Sequence, residues 1–276
     1  MLSLISNISS LNAQNNLTNT ENQLSSSLQK LSSGMRINTA MDDAAGLGIS
    51  VNLESDVASY TQAARNANDG ISVTQTAEGA LNQTSDIITR LRELAMESAS
   101  DGVSNTQRAY IQTEASQLTN EIDRIANDTT YNGTALLNSA SSSLTFQVGI
   151  GSSATNDQIS VNTTDATSAT LLGSFATSFA ATDSTGALAT QSGAVNVLSQ
   201  LDKALNTVSN DRSNLGAVGN RLTSAVSTIT TISQNLSAAD SRIRDVDVAS
   251  ETSNMTRLSV LAQANQQPQV ALKLLQ

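Results

Sequence analysis

The sequence predicts a mostly α-helical protein: an elongated antiparallel helical bundle with coiled-coil terminal helices and a small β-hairpin region. Apolar residues recur one heptad apart in the C-terminal third, at Leu201, Val208, Leu215, Leu222, Ile229, Leu236 and Ile243. This repeat predicts one long helix of roughly 65 Å whose apolar seam is buried against other helices. Proline occurs once and aromatic residues make up 2% of the chain, so helices meet few interruptions and aliphatic residues form thin cores.

The N-terminal third has the spacing of further helices. Residues 1–33 carry apolar positions at helical intervals, and Gly34 predicts the end of that helix. Its other face is polar but almost uncharged, which favours contact with other chains over a solvated surface. Residues 34–50 contain three glycines and are expected to form an irregular connection, with the second helix beginning near Leu53.

Local signals mark the next elements. Ser104 and Gln107 have the spacing of a capping box, which predicts a helix over residues 104–128. Asn132-Gly133 predicts the turn that follows it.

The middle of the chain, residues 138–190, is rich in Ser and Thr and contains no Lys or Arg. Alternating apolar residues predict a β-hairpin; they are Leu144, Phe146, Val148 and Ile150, paired with Ile159 and Val161. We expect the rest of this segment to be exposed and loosely structured.

The composition excludes several classes of function. The chain has no His and no Cys, which removes the commonest general base, metal ligand and thiol nucleophile. The net charge is −10 and the basic residues are scattered, which argues against nucleic acid as a partner. No apolar run is long enough for a membrane span or a cleaved signal peptide. We therefore expect no enzyme activity, no cofactor, no metal site and no membrane partner.

Several motifs carry a resemblance to a known family. In the N-terminal half they are Leu31-Ser-Ser-Gly-Met-Arg-Ile-Asn38, Asp42-Asp-Ala-Ala-Gly46, Gln75-Thr-Ala-Glu-Gly-Ala-Leu81, Leu91-Arg-Glu-Leu-Ala95, Asn120-Glu-Ile-Asp-Arg124 and Tyr131-Asn-Gly133. In the C-terminal third they are Leu215-Gly-Ala-Val218, Asn220-Arg-Leu222, Ser241-Arg-Ile-Arg244 and Leu261-Ala-Gln-Ala-Asn265. Together they resemble the motifs of bacterial flagellins, in the same order, over about residues 1–138 and 191–276.

The resemblance implies a structural subunit that polymerises with itself into the flagellar filament used for swimming. It implies an extracellular location, reached through the flagellar secretion apparatus without a cleaved signal peptide. The other implied partners are an export chaperone, the filament cap, hook-junction proteins and a vertebrate flagellin receptor.

The resemblance also implies a domain order from the inside of the filament outwards. The predicted regions are an N-terminal inner-tube helix and connector (1–50), the N-terminal part of the bundle (51–137), a short Ser/Thr-rich hairpin and exposed region (138–192), the long C-terminal helix of the bundle (193–247), and a C-terminal inner-tube helix (248–276).

The chain departs from the family pattern in four places. Met41 stands where Lys is usual, and Leu47-Gly48 is unusual within its motif. The central region is short, and the stretch before Leu261 is shorter than usual by about two helical turns. We therefore expect unequal terminal helices, about 48 Å for residues 2–33 against about 39 Å for residues 250–275.

Two groups of residues are candidate contact sites. The first lies on two adjacent predicted helices and resembles the family's subunit-packing and receptor-contact region: Arg90, Arg92, Glu93, Leu94 and Glu114. The second group contains possible subunit contacts near the ends of the bundle: Arg36, Asp42, Asp43, Arg242, Arg244 and Asp245.

Each group has a simpler interpretation. For the first group it is an amphipathic helix with surface charges. For the charges from Asp240 to Asp247 it is a solvated, locally paired surface. Asp42 and Asp43 are adjacent in sequence, so a turn or a salt bridge to Arg36 is favoured over a metal or acid–base site.

The sequence leaves two other functions open. One is a hook–filament junction protein, which shares helical ends with flagellins, although the motifs at 36–46 and 215–222 favour flagellin. The other is an enzyme borne on the filament by the middle segment, which lacks the residues that most catalytic chemistry uses.

Overall fold

The computed structural model describes residues 8–138, 143–181 and 185–273, without the side chains of residues 9, 10 and 265–273. Its elements, in chain order, are α1 (Ile8–Ser33), α2 (Ala44–Ser98), α3 (Asn105–Asp128), β1 (Thr130–Tyr131), β2 (Thr134–Ala135), β3 (Ser143–Gln147), α4 (Ala154–Asp157), β4 (Gln158–Asn162), α5 (Ser168–Leu172), a 3-10 turn (Gly173–Phe175), α6 (Ala176–Ala180), α7 (Gln191–Arg244) and α8 (Val248–Lys273). The mostly helical fold class is confirmed.

The chain divides into two compact units. One comprises Met1–Ala58 with Ile232–Gln276, and the other comprises Ser59–Thr231. Helices α2 and α7 each contribute residues to both units.

The second unit contains an antiparallel bundle of α2, α3 and α7. Arg92 of α2 pairs with Asp202 of α7, and Arg90 of α2 pairs with Glu114 of α3. Five of the seven heptad residues are buried in its core: Leu201, Val208, Leu215, Leu222 and Ile229. The predicted apolar seam of the long helix is therefore confirmed in this unit, and Leu236 and Ile243, which belong to the other unit, are half-buried.

Helix α2 begins at Ala44, nine residues before the predicted start at Leu53. The Asp43 carboxylate accepts a hydrogen bond from the Gly46 amide at 2.8 Å, which is the bond made by an N-cap residue. Gly46 and Gly48 lie inside the helix, so the irregular connection is limited to residues 34–43. The predicted start is wrong because glycines do not always interrupt a helix, and an aspartate before a helical run also marks a helix start.

The other local signals are confirmed. Ser104 and Gln107 form a complete capping box at the start of α3. Asn132 and Gly133 have φ values of 49° and 78°, the left-handed conformation of a two-residue hairpin turn, and join β1 to β2. Strands β3 and β4 pair antiparallel, with Leu144 opposite Val161 and Phe146 opposite Ile159.

The segment after β4 is not the exposed excursion that its composition predicts. Its apolar side chains are buried in the same core as the bundle: Leu171, Leu172, Phe179, Ala187 and Leu188. A few aliphatic and aromatic residues among many Ser and Thr are enough to anchor it, because short helices place them on one side.

In the first unit, α1 and α8 pack against each other. Each has 26 residues in the part of the chain that the structure describes, or about 39 Å. The expected inequality is therefore not seen among the described residues, while residues 1–7 and 274–276 lie outside that description.

Candidate functional site

Helices α1 and α8 keep apolar side chains exposed although they pack against each other. Ser27 of α1 and Leu258 of α8 are buried. Among the residues of the two helices whose side chains the structure describes, the large apolar ones that remain exposed are Ile8, Leu11, Leu28, Val248, Val260 and Leu261. These helices thus present apolar surface that their mutual contact does not cover.

On α8 this surface forms one continuous strip. Its residues line an open groove along the helix: Val248, Ala249, Thr252, Ser253, Thr256, Arg257, Val260 and Leu261. The hydroxyls of Thr252 and Thr256 donate to the carbonyls one turn earlier, at 2.6 and 2.9 Å. The two hydroxyl groups therefore already have hydrogen-bond partners, and the threonine side chains expose mainly their methyl groups.

Asp42 and Asp43 serve the connection between α1 and α2. The Asp42 carboxylate accepts hydrogen bonds from the Thr39 amide at 2.9 Å and the Asn38 amide at 3.2 Å. These bonds, the Thr39 amide first, lower the pKa of Asp42. The expected turn role is confirmed, but the basic partner is Lys30, at 3.9 Å, and not Arg36.

Arg36 instead meets the end of α7. Its guanidinium donates to the Ile243 carbonyl at 2.5 Å, and its backbone amide donates to the Arg244 carbonyl at 2.6 Å. Arg36 and residues 243–244 are far apart in sequence, so the spacing of residues along the chain does not predict this contact.

The remaining charges at the end of α7 are mostly paired within the chain. Arg244 forms an ion pair with Glu54, and Asp245 accepts from the Ser241 hydroxyl at 2.6 Å. Arg242 is exposed and has no ion pair or hydrogen bond to any residue that the structure describes. Of the second candidate group, Arg242 is thus the side chain most available to another molecule.

The first candidate group consists of exposed charged side chains and one buried leucine. Arg90 donates to Glu114 at 2.9 Å and to Glu93 at 3.0 Å, and these bonds, that to Glu93 first, raise its pKa. All three side chains are about half exposed, as is Arg92 in its pair with Asp202.

Leu94, unlike the other residues of the first candidate group, is not accessible to another molecule. Its side chain is 1% exposed and belongs to the bundle core. Leu94 lies one turn after Arg90 on α2, beside the buried residues Leu91 and Ala95, and its burial in the chain's own core leaves no surface for an external contact.

Among the described residues, no group of three or more acidic side chains is placed to hold a metal ion. No described helix has the length and apolar character needed to cross a membrane.

Comparison with protein families and known proteins identifies the chain's relatives. The family described as "Bacterial flagellin N-terminal helical region" matches residues 5–142, and "Bacterial flagellin C-terminal helical region" matches residues 198–275. Flagellins of Halalkalibacterium halodurans and Bacillus subtilis strain 168 are each 40% identical to it, with 98% of both chains covered. A flagellar filament 30.7 kDa core protein of Treponema maltophilum is 38% identical, again with 98% of both chains covered.

Solved structures agree at the level of the fold. The crystal structure of Bacillus cereus flagellin aligns with 64% of this chain and 94% of its own, with a TM-score of 0.50 and 27% identity. A putative flagellar hook-associated protein from Vibrio parahaemolyticus aligns with a TM-score of 0.61 over 74% of this chain and 100% of its own, but at 14% identity it shows a shared fold only. The family matches and the identities over nearly the whole length therefore place this chain in the bacterial flagellin family.

Proposed function

We propose that this flagellin, a structural subunit of the bacterial flagellar filament, polymerises by covering the exposed apolar strips of α1 and α8 with neighbouring copies. The observation that carries the proposal is the exposure of six large apolar side chains in the part of these two helices whose side chains the structure describes. Covering a half-exposed aliphatic side chain contributes about 1 kcal/mol. Several such contacts, repeated between many neighbours, offset the cost of immobilising each copy.

The polar residues of α1 support a dry contact on that helix. In the whole of α1 the charged residues are Glu21 and Lys30. The Thr18 hydroxyl donates to the Gln14 carbonyl at 3.0 Å, as the threonines of α8 do to theirs. Burying hydroxyls that keep a partner costs little, whereas burying charges costs several kcal/mol.

The export route and the assembly partners are proposed from membership of the flagellin family. We propose that the chain leaves the cell through the flagellar secretion apparatus without a cleaved signal peptide, with an export chaperone. It then adds to a filament that grows from hook-junction proteins under a cap. The proposed inner-tube regions are residues 1–50 and 248–276, with 51–137 and 193–247 around them and 138–192 outermost. No catalytic role is proposed.

The exposed charges have separate proposed roles. Arg90, Glu93 and Glu114, with the pair of Arg92 and Asp202, form a surface for packing against another subunit or a vertebrate flagellin receptor. Arg242 is proposed as a contact to a neighbouring copy. Arg36, Asp42, Asp43, Arg244 and Asp245 act first within the chain, and any subunit contact they make is secondary.

A charge placed on the strip tests the assembly mechanism. Val260 is 58% exposed, so Val260→Asp leaves the monomer's own packing nearly unchanged. Burial of its carboxylate between copies costs several kcal/mol. We expect the critical concentration for seeded polymerisation to rise at least about tenfold, measured by sedimentation and electron microscopy.

Ile150→Asp is the matched control, because Ile150 is also about half exposed (45%) but lies in the central segment. We expect it to elongate seeds as the unmodified protein does, and both variants to unfold at the same urea concentration as that protein. Normal growth of the Val260→Asp variant would contradict the proposed role of the α8 strip.

A further inference from the structure

Two connecting segments of the second unit run side by side: the one that follows β2 and the one that follows β4. The Thr164 amide donates to the Leu136 carbonyl at 3.3 Å, and the Ala166 amide donates to the Leu137 carbonyl at 2.8 Å. Leu136 and Leu137 are buried and belong to the core. Backbone hydrogen bonds therefore join the start of the segment after β4 to a part of the chain that is anchored in the bundle.

A small cavity lies between these segments and the helices of the bundle. Its apolar wall consists of core residues from α2, α7, β4 and the segment after β2: Val73, Ala77, Leu136, Leu137, Val161 and Leu215. Its volume is about 10 Å³, at the lower limit of the roughly 10–15 Å³ that one water molecule needs. The cavity is thus too small for any larger ligand unless core side chains move.

Thr164 is a polar residue in the wall of this cavity. Its Oγ1 is buried without a hydrogen bond to any residue that the structure describes. A buried hydroxyl in this state costs free energy, which is why nearly all buried polar groups of native proteins are paired. A small polar molecule inside the cavity would supply a partner for the hydroxyl.

The chemistry of the wall selects water over an ion. The described residues that line the cavity include no Asp, Glu, Lys or Arg, so they would not balance the charge of an ion. A water molecule needs about two to four polar partners. Besides the Thr164 hydroxyl, the Leu136 carbonyl is available, because a carbonyl oxygen that accepts one hydrogen bond keeps a second lone pair.

We propose that this cavity binds one internal water molecule, which bridges the Thr164 hydroxyl to the backbone of the segment after β2. The water completes the polar contacts by which the central part of the chain is fixed to the bundle. The site does not depend on filament assembly, because all its residues lie in the second unit of a single chain.

Thr164→Val tests the site, because valine has nearly the shape of threonine but forms no side-chain hydrogen bond. Oxygen-17 magnetic relaxation dispersion of the full-length monomer counts the long-lived waters, meaning those held long enough to tumble with the protein. We expect the variant to hold one fewer long-lived water than the unmodified chain. Its unfolding equilibrium constant, obtained from urea titration, should rise about three- to tenfold, because the bridge between the two segments is lost.

Thr134→Val is the matched control, because Thr134 is an exposed residue of β2. We expect it to keep both the number of long-lived waters and the unfolding constant of the unmodified chain. Thr164→Ser retains the hydroxyl group and should therefore retain the water.

An equal number of long-lived waters in the unmodified chain and the Thr164→Val variant would overturn the proposal. If the unfolding constant falls as well, the cavity is dry, since removing an unpaired buried hydroxyl stabilises a protein. Loss of the water from Thr164→Ser would overturn the role of the hydroxyl as its partner. Loss of one water from Thr164→Val without a change in the unfolding constant would overturn the role of the bridge in fixing the two segments.

Discussion

A single buried amide organises the contact between α3 and the segment that follows α5. Gln112 is 0% exposed. Its Nε2 donates to the carbonyls of Ser178, Phe179 and Ala181 at 3.1, 2.9 and 2.6 Å, and its Oε1 accepts from the Leu188 amide at 2.7 Å. The accepting carbonyls lie at the end of α6, where a helix leaves its last carbonyls without partners.

Gln112→Ala should therefore be strongly destabilising, by roughly 2–4 kcal/mol, because it leaves several buried backbone groups unpaired. Gln117→Ala on the exposed side of the same helix should change stability by less than about 0.5 kcal/mol. Urea denaturation of both variants measures the difference. Similar midpoints would show that water or a rearranged backbone replaces the amide.

At the scale of elements, two glycines of α2 have opposite surroundings. A Cβ on Gly79 would meet no atom within 4 Å, whereas a Cβ on Gly70 would lie 3.1 Å from Leu222 of α7 and from Phe146 of β3. Gly70 thus lets the hairpin and the long helix approach α2 closely.

Gly79→Ala should raise the free energy of unfolding by roughly 0.5–1 kcal/mol, because alanine restricts the unfolded chain and favours the helix. Gly70→Ala should raise the free energy of unfolding by less than this, or lower it, because Phe146 and Leu222 must move. Both are read from urea unfolding curves of the full chain. An equal gain at the two positions would mean that those neighbours move aside without cost.

At the scale of the whole molecule, assembly brings together copies that each carry a net charge of −10. Raising the ionic strength from about 0.01 M to about 0.15 M shortens the Debye length from about 30 Å to about 8 Å and weakens their repulsion. We expect the critical concentration for polymerisation to fall with added sodium chloride.

The critical concentration for polymerisation should hardly change between pH 6 and pH 8. The chain has neither His nor Cys, and no other side chain ordinarily titrates in that range. Sedimentation of seeded samples across both series provides the measurement. A critical concentration that rises with salt would show that ion pairs between copies outweigh the net repulsion.

Much of this architecture could be predicted because it depends on short-range patterns. The heptad seam of α7, the capping box at Ser104, the Asn132-Gly133 turn and the pairing of β3 with β4 each follow from a few neighbouring residues. The family followed from motifs of the same kind. Two expectations failed where short-range signals competed: glycines hid the start of α2, and Ser/Thr composition hid the anchoring of Phe179 and Leu188.

The candidate contact sites were predicted less completely. The sequence grouped charged residues around Arg90 that the structure brings together in ion pairs, but it could not show that Leu94 points into the core or that Lys30, and not Arg36, partners Asp42.

By itself the sequence determined the long helices, most of their limits, the hairpins and the family, since each depends on residues close together along the chain. Only the tertiary structure decided which sides of α1 and α8 stay exposed, how Gln112 binds the segment beyond α5, and that the backbone of Arg36 meets that of Arg244. These features depend on backbone groups of distant segments meeting in space, and a backbone amide or carbonyl looks the same at every position of a sequence.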